Sequence, residues 1–338
     1  MTFKVGIVGY GVVGKRRHNA LKNIVDFKVT ALSDINFNTG NELPDLKCYS
    51  NFKELIKNED VDVLFISLPN NFAAEATLMG LKKGAHVFCE KPPSKSLNEL
   101  KPIQEFMRDS DLKLMYGFNH RFHSSVIKAR EIVKEKKLGK VINMKGTYGK
   151  SKMISFNQTD WRTDRSKSGG GILLDQGIHM LDLMNYFGGG FNQVFSIIQN
   201  SFWNCDVEDN AFILMQNDEG LVAQLHSSAT QWRHTFNLEM TFERGSLILG
   251  GLLTSSKSYG EETLRIIFAD PDNDKGDPRE EIISFDEDIS WDEEIKRFTD
   301  AIRNSDKIKN GSIAQAIEIM ELIEKIYKAD NEWKRKYY

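Results

Sequence analysis

Three side chains in this sequence have the types and surroundings for acid–base chemistry on an oxygen. Lys91 stands in Glu90-Lys91-Pro92, directly after the apolar run Ala85-His86-Val87-Phe88-Cys89. That run reads as a buried parallel strand, which the proline brings to an end. Ligands of open α/β sheets bind beyond the carboxyl ends of the strands, so an ammonium there can hold negative charge on a reacting oxygen. Asp175 and His179 lie in the second constellation, where Gly169-Gly170-Gly171 leads into an apolar-periodic helix running to about Phe187. Residues four apart share one helix face. A carboxylate beside an imidazole orients the ring and stabilises the imidazolium, as a general base taking a proton from an alcohol requires.

A redox partner for that chemistry is suggested by Gly9-Tyr10-Gly11-Val12-Val13-Gly14. The segment follows a strand pattern and opens a helix, so backbone N–H groups and the helix dipole can face a pyrophosphate. Asp34 ends the next strand about 20 residues on, where a carboxylate accepts from ribose hydroxyls and repels a 2′-phosphate. NAD is therefore expected over NADP. Lys15, Arg16 and Arg17 read as solvated residues of the first helical turn, because that end of a helix disfavours added cations.

The elements that must position these groups change character midway along the chain. Up to about residue 122, strand runs (Phe3 to Val8, Phe27 to Ser33, Val61 to Ser67, Ala85 to Cys89, Leu112 to Phe118) alternate with helical patterns at 12–23, 52–58, 73–83 and 97–109. Ser96 with Glu99 is a capping-box signature for the last helix. Alternation of this kind predicts a parallel sheet of βαβ units. A helix over 124–138 follows, and then strand patterns joined by turns at 141–150, 191–201, 208–216, 220–228, 236–243, 245–250 and 262–269. Phe236 to Glu243 alternates apolar and polar residues strictly, as a strand with one dry face does. Asp270 to Glu280 reads as an exposed loop, and helices near 291–304 and 312–334 close the chain. In the second of these, Ile319, Leu322, Ile323 and Ile326 form a buried stripe.

Bulk properties exclude several classes. With 338 residues, two domains are expected. A net charge of −3 does not suit a nucleic-acid binder. Cys48, Cys89 and Cys205 lack metal-ligand spacing and read as reduced thiols, so no metal and a cytoplasmic setting without a leader are expected. The longest apolar stretches are strand-sized, short of a membrane span.

The glycine loop, Glu90-Lys91-Pro92, Phe118-Asn119-His120-Arg121-Phe122, Trp161-Arg162, the glycine run and Asp175-x-Gly177-x-His179 occur together and in order along the full length. In these motifs the chain resembles the glucose-fructose oxidoreductase / inositol dehydrogenase / rhizopine-catabolism (Gfo/Idh/MocA) family. The resemblance implies an α/β Rossmann domain over 1–122. It implies a substrate-binding and oligomerisation α+β domain with an open, mainly antiparallel sheet over 123–338. A cis Lys91–Pro92 bond and a homodimer or homotetramer built through the open sheet are also implied. Cofactor contacts would come from Gly9, Gly11, Val12, Val13, Gly14, Asp34, Pro69, Asn70, Glu90, Lys91, Asn119, Trp161 and Arg162. Substrate contacts would come from Lys91, Arg121, Arg165, Asp175 and His179. Pro69 and Asn70 begin a family motif whose histidine position is Ala73 here, which removes any contact that histidine would make near the cofactor.

The implied activity is NAD-dependent oxidation of a secondary hydroxyl on a sugar, sugar derivative or cyclic polyol. Lys91 would bind the reacting oxygen, and Asp175 would hold His179 as base, with the proton acceptor left open between Lys91 and His179. Arg165 and Lys167, if they meet the substrate, favour a phosphorylated or nucleotide-linked sugar. Two other readings are an NAD-dependent glycoside hydrolase using transient oxidation and a non-catalytic nucleotide-binding protein. His226 reads as structural, and His18, His86, His120, His123 and His234 carry no comparable argument.

Overall fold

A computed structural model of the chain describes residues 2–37, 43, 45–152, 160–254, 256–273 and 276–338. Two compact units result: Met1–Asn119 with Ser166–Gly169 and Trp291–Ile317, and His120–Arg165 with Gly170–Ser290 and Glu318–Tyr338. Neither unit is a single run of chain.

The first unit carries β1 (Phe3–Val8), β2 (Phe27–Ser33), β3 (Lys47–Tyr49), β4 (Val63–Ile66), β5 (His86–Glu90) and β6 (Leu114–Gly117). They form one parallel sheet in the order β3-β2-β1-β4-β5-β6. The order reverses between β1 and β4, which is where doubly wound sheets open a ligand crevice. Helices α1 (Val12–Leu21), α2 (Phe52–Asn58), α3 (Asn70–Lys82) and α4 (Lys101–Arg108) fall between the strands. All four residues of β4 and the centre of β5 are buried, as a sheet covered on both faces requires. Phe65 and Phe88 stack at 5.1 Å, and Phe298, from the helix Ser290–Arg303, edges onto both.

Two local expectations are corrected. The helix expected over 97–109 is a 3₁₀ turn, Leu97–Leu100, followed by α4 with Pro102 at its start. Ser96 makes no capping bond through its side chain; Glu99 instead accepts from the Lys95 amide at 3.2 Å. The three-residue β3 had no recognisable run, being a short edge strand with no residue in the core.

The second unit carries β7 (Val141–Gly149), β8 (Gln193–Gln199), β9 (Asn210–Gln216), β10 (Val222–Ser228), β11 (Thr235–Phe242), β12 (Gly245–Gly250), β13 (Glu262–Phe268) and β14 (Glu280–Phe285). Their order is β14-β13-β12-β11-β7-β10-β9-β8, antiparallel except for the parallel pair β7 and β10. Phe236, Leu238, Met240 and Phe242 of β11 are buried while the residues between them are half-buried, which gives the sheet its dry face. Phe195 and Ile197 of β8 and Phe212 and Leu214 of β9 are exposed.

β14 was not expected. Residues 274 and 275 of the expected Asp270–Glu280 loop lie outside the described residues, and Glu280 itself begins the strand. The stripe Ile319, Leu322, Ile323 and Ile326 is buried, but the expected 312–334 helix divides. Ile313–Ala329 ends before Asp330, whose carboxylate caps Asn331–Tyr337 by accepting from Glu332 and Trp333 N–H at 2.9 Å each.

Candidate active site

The glycine loop joins β1 to α1. Gly9 has φ +86°, and a Cβ there would strike the Ser67 carbonyl. A Cβ on Gly14 would strike the Gly9 carbonyl, so helix and strand pack as closely as backbone allows. Gly11 differs: a Cβ there would have no neighbour within 4 Å, leaving open space over the start of α1. The first turn of α1 carries no acidic residue, and Val12 is 48% exposed. Asp34 follows β2; its Oδ2 accepts the Tyr10 amide at 2.9 Å and its Oδ1 accepts from Asn36 N and Nδ2 at 3.0 and 2.8 Å. One carboxylate is thereby fixed to the loop itself. These features fit a dinucleotide: an anion-ready helix start, room for its phosphates and an acid placed for a ribose.

Lys91 leaves the carboxyl end of β5, and its bond to Pro92 is cis. Glu90 before it is held by Arg17 of α1, whose Nε donates to Glu90 Oε1 at 2.6 Å while Nη2 donates to Glu294 Oε2 at 2.5 Å. The guanidinium also lies 4.4 Å from the Phe88 ring centre and 4.2 Å from that of Trp291. The expectation that Arg17 is solvated is wrong, since its side chain is wholly buried. Burial opposes the charge, but Glu90 and Glu294 outweigh it and hold the guanidinium pKa above its usual value. The helix-end rule failed because it counts only the local dipole, not two carboxylates brought in from distant segments. Pro69 precedes α3, and Asn70, its first residue, donates through Nδ2 to the Ser168 carbonyl at 2.7 Å. Asn119 begins the short turn Asn119–Phe122.

In the second unit, Asp175 lies in a π-helical turn, Leu173–Gly177, that runs into the helix Ile178–Gly188 carrying His179. Such turns concentrate at functional sites. Buried Glu208 secures the start of this segment, accepting from Gly171 N at 2.8 Å, Leu173 N at 3.0 Å and Tyr327 Oη at 2.8 Å. Asp175 Oδ2 accepts from Lys150 Nζ at 3.0 Å, and Arg162 Nε lies 3.8 Å from Oδ1. Arg162 itself stacks 4.4 Å over Trp161. His179 is buried, with its ring stacked on His120 at 3.7 Å and 17°. His120 Nε2 lies 3.1 Å from Tyr148 Oη. Tyr259 accepts from Gln176 Nε2 at 2.8 Å. Burial lifts the Tyr148 phenol well above its usual value and pushes Tyr259 up to about 12, so both stay protonated near neutrality.

Sequence reasoning missed Lys150, Tyr148 and His120 as members of this cluster. Tyr148 lies near the end of β7 and Lys150 directly follows it, and only the sheet order brings that strand end beside the Asp175 turn. His120 stands in a motif quoted for the resemblance, but its meeting with His179 is set by tertiary packing.

Two residues expected at the substrate have other partners. Arg121 is 5% exposed and forks onto Asp182 at 2.7 and 2.6 Å. Burial works against its charge, and the Asp182 carboxylate keeps it protonated. Arg165 lies among four rings near the chain end, 4.1 Å from Tyr337, 5.3 Å from Tyr327, 5.5 Å from Trp333 and 5.7 Å from Tyr338. Lys167 is exposed. His226 stacks on Phe212 at 4.1 Å and bonds Asn210, a place within the sheet. Among the described residues no group of three or more His, Cys, Asp or Glu side chains could hold a metal ion. Among the described residues no helix is long and apolar enough to cross a membrane.

A nucleotide-type parallel sheet with a glycine loop, in a chain that also carries a mixed second sheet, defines a class, and sequence comparison agrees with it. Residues 3–118 match the model of the oxidoreductase family with an NAD-binding Rossmann fold, and residues 126–248 match the GFO/IDH/MocA C-terminal domain. The chain belongs to the Gfo/Idh/MocA oxidoreductase family. It is 29% identical over 150 residues to levoglucosan dehydrogenase of Pseudarthrobacter phenanthrenivorans, covering 44% of this chain and 38% of that protein. It is 27% identical over 237 residues to myo-inositol 2-dehydrogenase of Thermotoga maritima, covering 67% and 68%. The match thus spans about two fifths of the first relative's length and about two thirds of the second's. A solved structure of levoglucosan dehydrogenase in complex with NADH superposes with a TM-score of 0.86 over 98% of both chains at 18% identity, so the fold is shared.

Proposed function

We propose that this protein is an NAD-dependent dehydrogenase that oxidises a secondary hydroxyl of a sugar, sugar derivative or cyclic polyol. One arrangement within the first unit supports this most. Lys91 stands at the carboxyl edge of the sheet that carries the glycine loop, and Arg17, on the helix that opens from that loop, grips the residue before it. Relatives named as dehydrogenases of levoglucosan and of myo-inositol support the class of substrate.

Gly9, Gly11, Val12, Val13 and Gly14 would hold the pyrophosphate and Asp34 the adenosine ribose. Pro69, Asn70, Glu90, Asn119, Trp161 and Arg162 are the further proposed cofactor residues. A nicotinamide held by these residues would supply the hydride acceptor for the carbinol carbon. Lys91 donates a hydrogen bond to the reacting oxygen and holds the charge that grows on it. The hydroxyl proton passes to His179 or to Lys91 itself, and Asp175 orients and charge-balances the imidazole. Arg121, forked onto Asp182, positions its segment instead of touching the substrate. NAD is favoured over NADP because the Asp34 carboxylate, fixed to the loop by the Tyr10 amide, would repel a 2′-phosphate.

The reading is tested by following reduced nicotinamide with inositols, aldoses, glucosides and sugar phosphates, using NAD and then NADP. Turnover with one sugar or polyol class, and preference for NAD, is expected. Equal efficiency with NADP would overturn the cofactor choice. Sugar glycoside cleavage without net reduction would move the chain to the hydrolase reading.

A further inference from the structure

Lys150 is 5% exposed, directly after β7. Its backbone is pinned on both sides, N–H to Ser228 O at 2.9 Å and C=O from Gln231 N–H at 3.0 Å, so the stem has a fixed origin. Its ammonium has three donors. Among the described residues it makes one side-chain hydrogen bond, to Asp175 Oδ2 at 3.0 Å. A buried ion pair is seldom a net gain in stability over apolar packing, so stability alone does not account for a lysine here. A buried ammonium with donors to spare also needs oxygen acceptors close by.

We infer that Lys150 is a substrate-binding residue, and that Lys150 and Asp175 together grip two neighbouring hydroxyls of an uncharged sugar or polyol. The inference rests on the dehydrogenase reading and names the substrate chemistry at that same site. The pair presents a donor and an acceptor 3.0 Å apart, with Arg162 Nε 3.8 Å from the other Asp175 oxygen. Each hydroxyl of a vicinal diol both donates and accepts, so two neighbours can satisfy both ends at once. A phosphate or carboxylate beside the pair would meet the Asp175 charge at close range. Nearby His234 adds no cation near neutrality, because burial, and then the charge of Lys150, hold its pKa below the usual value. Arg165, the sequence's best candidate for a phosphate ligand, lies among aromatic rings instead. A lysine that only positioned Asp175 would leave the discrimination between individual hydroxyls untouched, and this is what separates the two roles.

The experiment compares wild type, K150M and K150Q with NAD and whichever inositol, aldose or glucoside turns over best, together with its monodeoxy analogues. K150M is expected to lower kcat/KM by about 10- to 100-fold, mainly through KM, with NAD binding by fluorescence titration unchanged. In wild type, removal of one particular hydroxyl costs about 10-fold or more, and that penalty disappears in K150M. K150M within about twofold of wild type would overturn the inference. So would full retention of every deoxy penalty, which would leave Lys150 as a positioning residue for Asp175. Loss of NAD binding in both variants would mark a folding residue and also overturn it. If wild type binds NAD but oxidises nothing in the panel, the dehydrogenase reading fails by itself. Calorimetric binding of the same sugars to NAD-loaded wild type and K150M then decides, with equal binding or none overturning the inference and loss confined to K150M upholding it.

Discussion

Arg17 and Glu90 join the nucleotide loop's helix to the strand end that leads into Lys91 through one hydrogen bond of 2.6 Å, and buried Glu294 shares the same guanidinium. Removing the cation leaves two carboxylates inside the first unit without their counter-ion. Arg17→Met should therefore cost about 3–5 kcal/mol in urea unfolding, and the double variant R17M/E294Q should recover part of that loss. Equal stability of R17M and wild type would show that the pair carries no such load.

The two kinds of glycine in the loop separate fold from binding. Gly14→Ala places a Cβ against the Gly9 carbonyl and should lower the thermal midpoint along with NAD affinity. Gly11→Ala meets nothing within 4 Å and has φ −74°, so the midpoint should hold. Its methyl instead enters the space proposed for the phosphates, and NAD affinity by fluorescence titration should fall about 10-fold or more.

Arg165→Ala separates a phosphate ligand from a structural cation. Its place among Tyr327, Trp333, Tyr337 and Tyr338 predicts a loss of about 1–2 kcal/mol in denaturant unfolding. Turnover of phosphorylated and unphosphorylated sugars should change by the same factor. A loss confined to phosphorylated substrates would restore the phosphate-binding role.

Asp209 supplies a pH dependence. Burial alone would raise its carboxyl pKa, but the N–H groups of Trp203, Phe202 and Ser201, at 3.0, 2.7 and 3.1 Å, outweigh that and hold it below the usual value. A depressed folded pKa gives stability that is present above the unfolded value of about 3.9 and is lost as pH falls through the lower folded value. Asp209→Asn should be less stable than wild type at neutral pH, and the difference should shrink in unfolding curves taken below about pH 4.

How far the chain could be read varied with the range of each interaction. The glycine loop, Asp34 and the strand ending at Lys91 are local signals, and the parallel sheet followed from their alternation with helices. β11 declared its dry face through strict alternation. Residues whose partners are distant in sequence were not legible. Arg17 is buried only because Glu90 and Glu294 converge on it, and Arg165 is enclosed only because the chain end returns to it. Lys150 meets Asp175 because β7 lies centrally between β10 and β11, an order that no single strand pattern contains. β14 was hidden for another reason, since four of its six residues stay exposed and no clear alternation marks it.

The most direct measurement is reduced-nicotinamide formation by purified protein with NAD and the sugar and polyol panel, in wild type, K91M and H179A. Turnover of one class by wild type is expected. K91M and H179A should each lose about 10²- to 10⁴-fold in kcat while NAD affinity holds. Absence of reduced nicotinamide with every sugar and polyol, or full activity in K91M, would contradict the account.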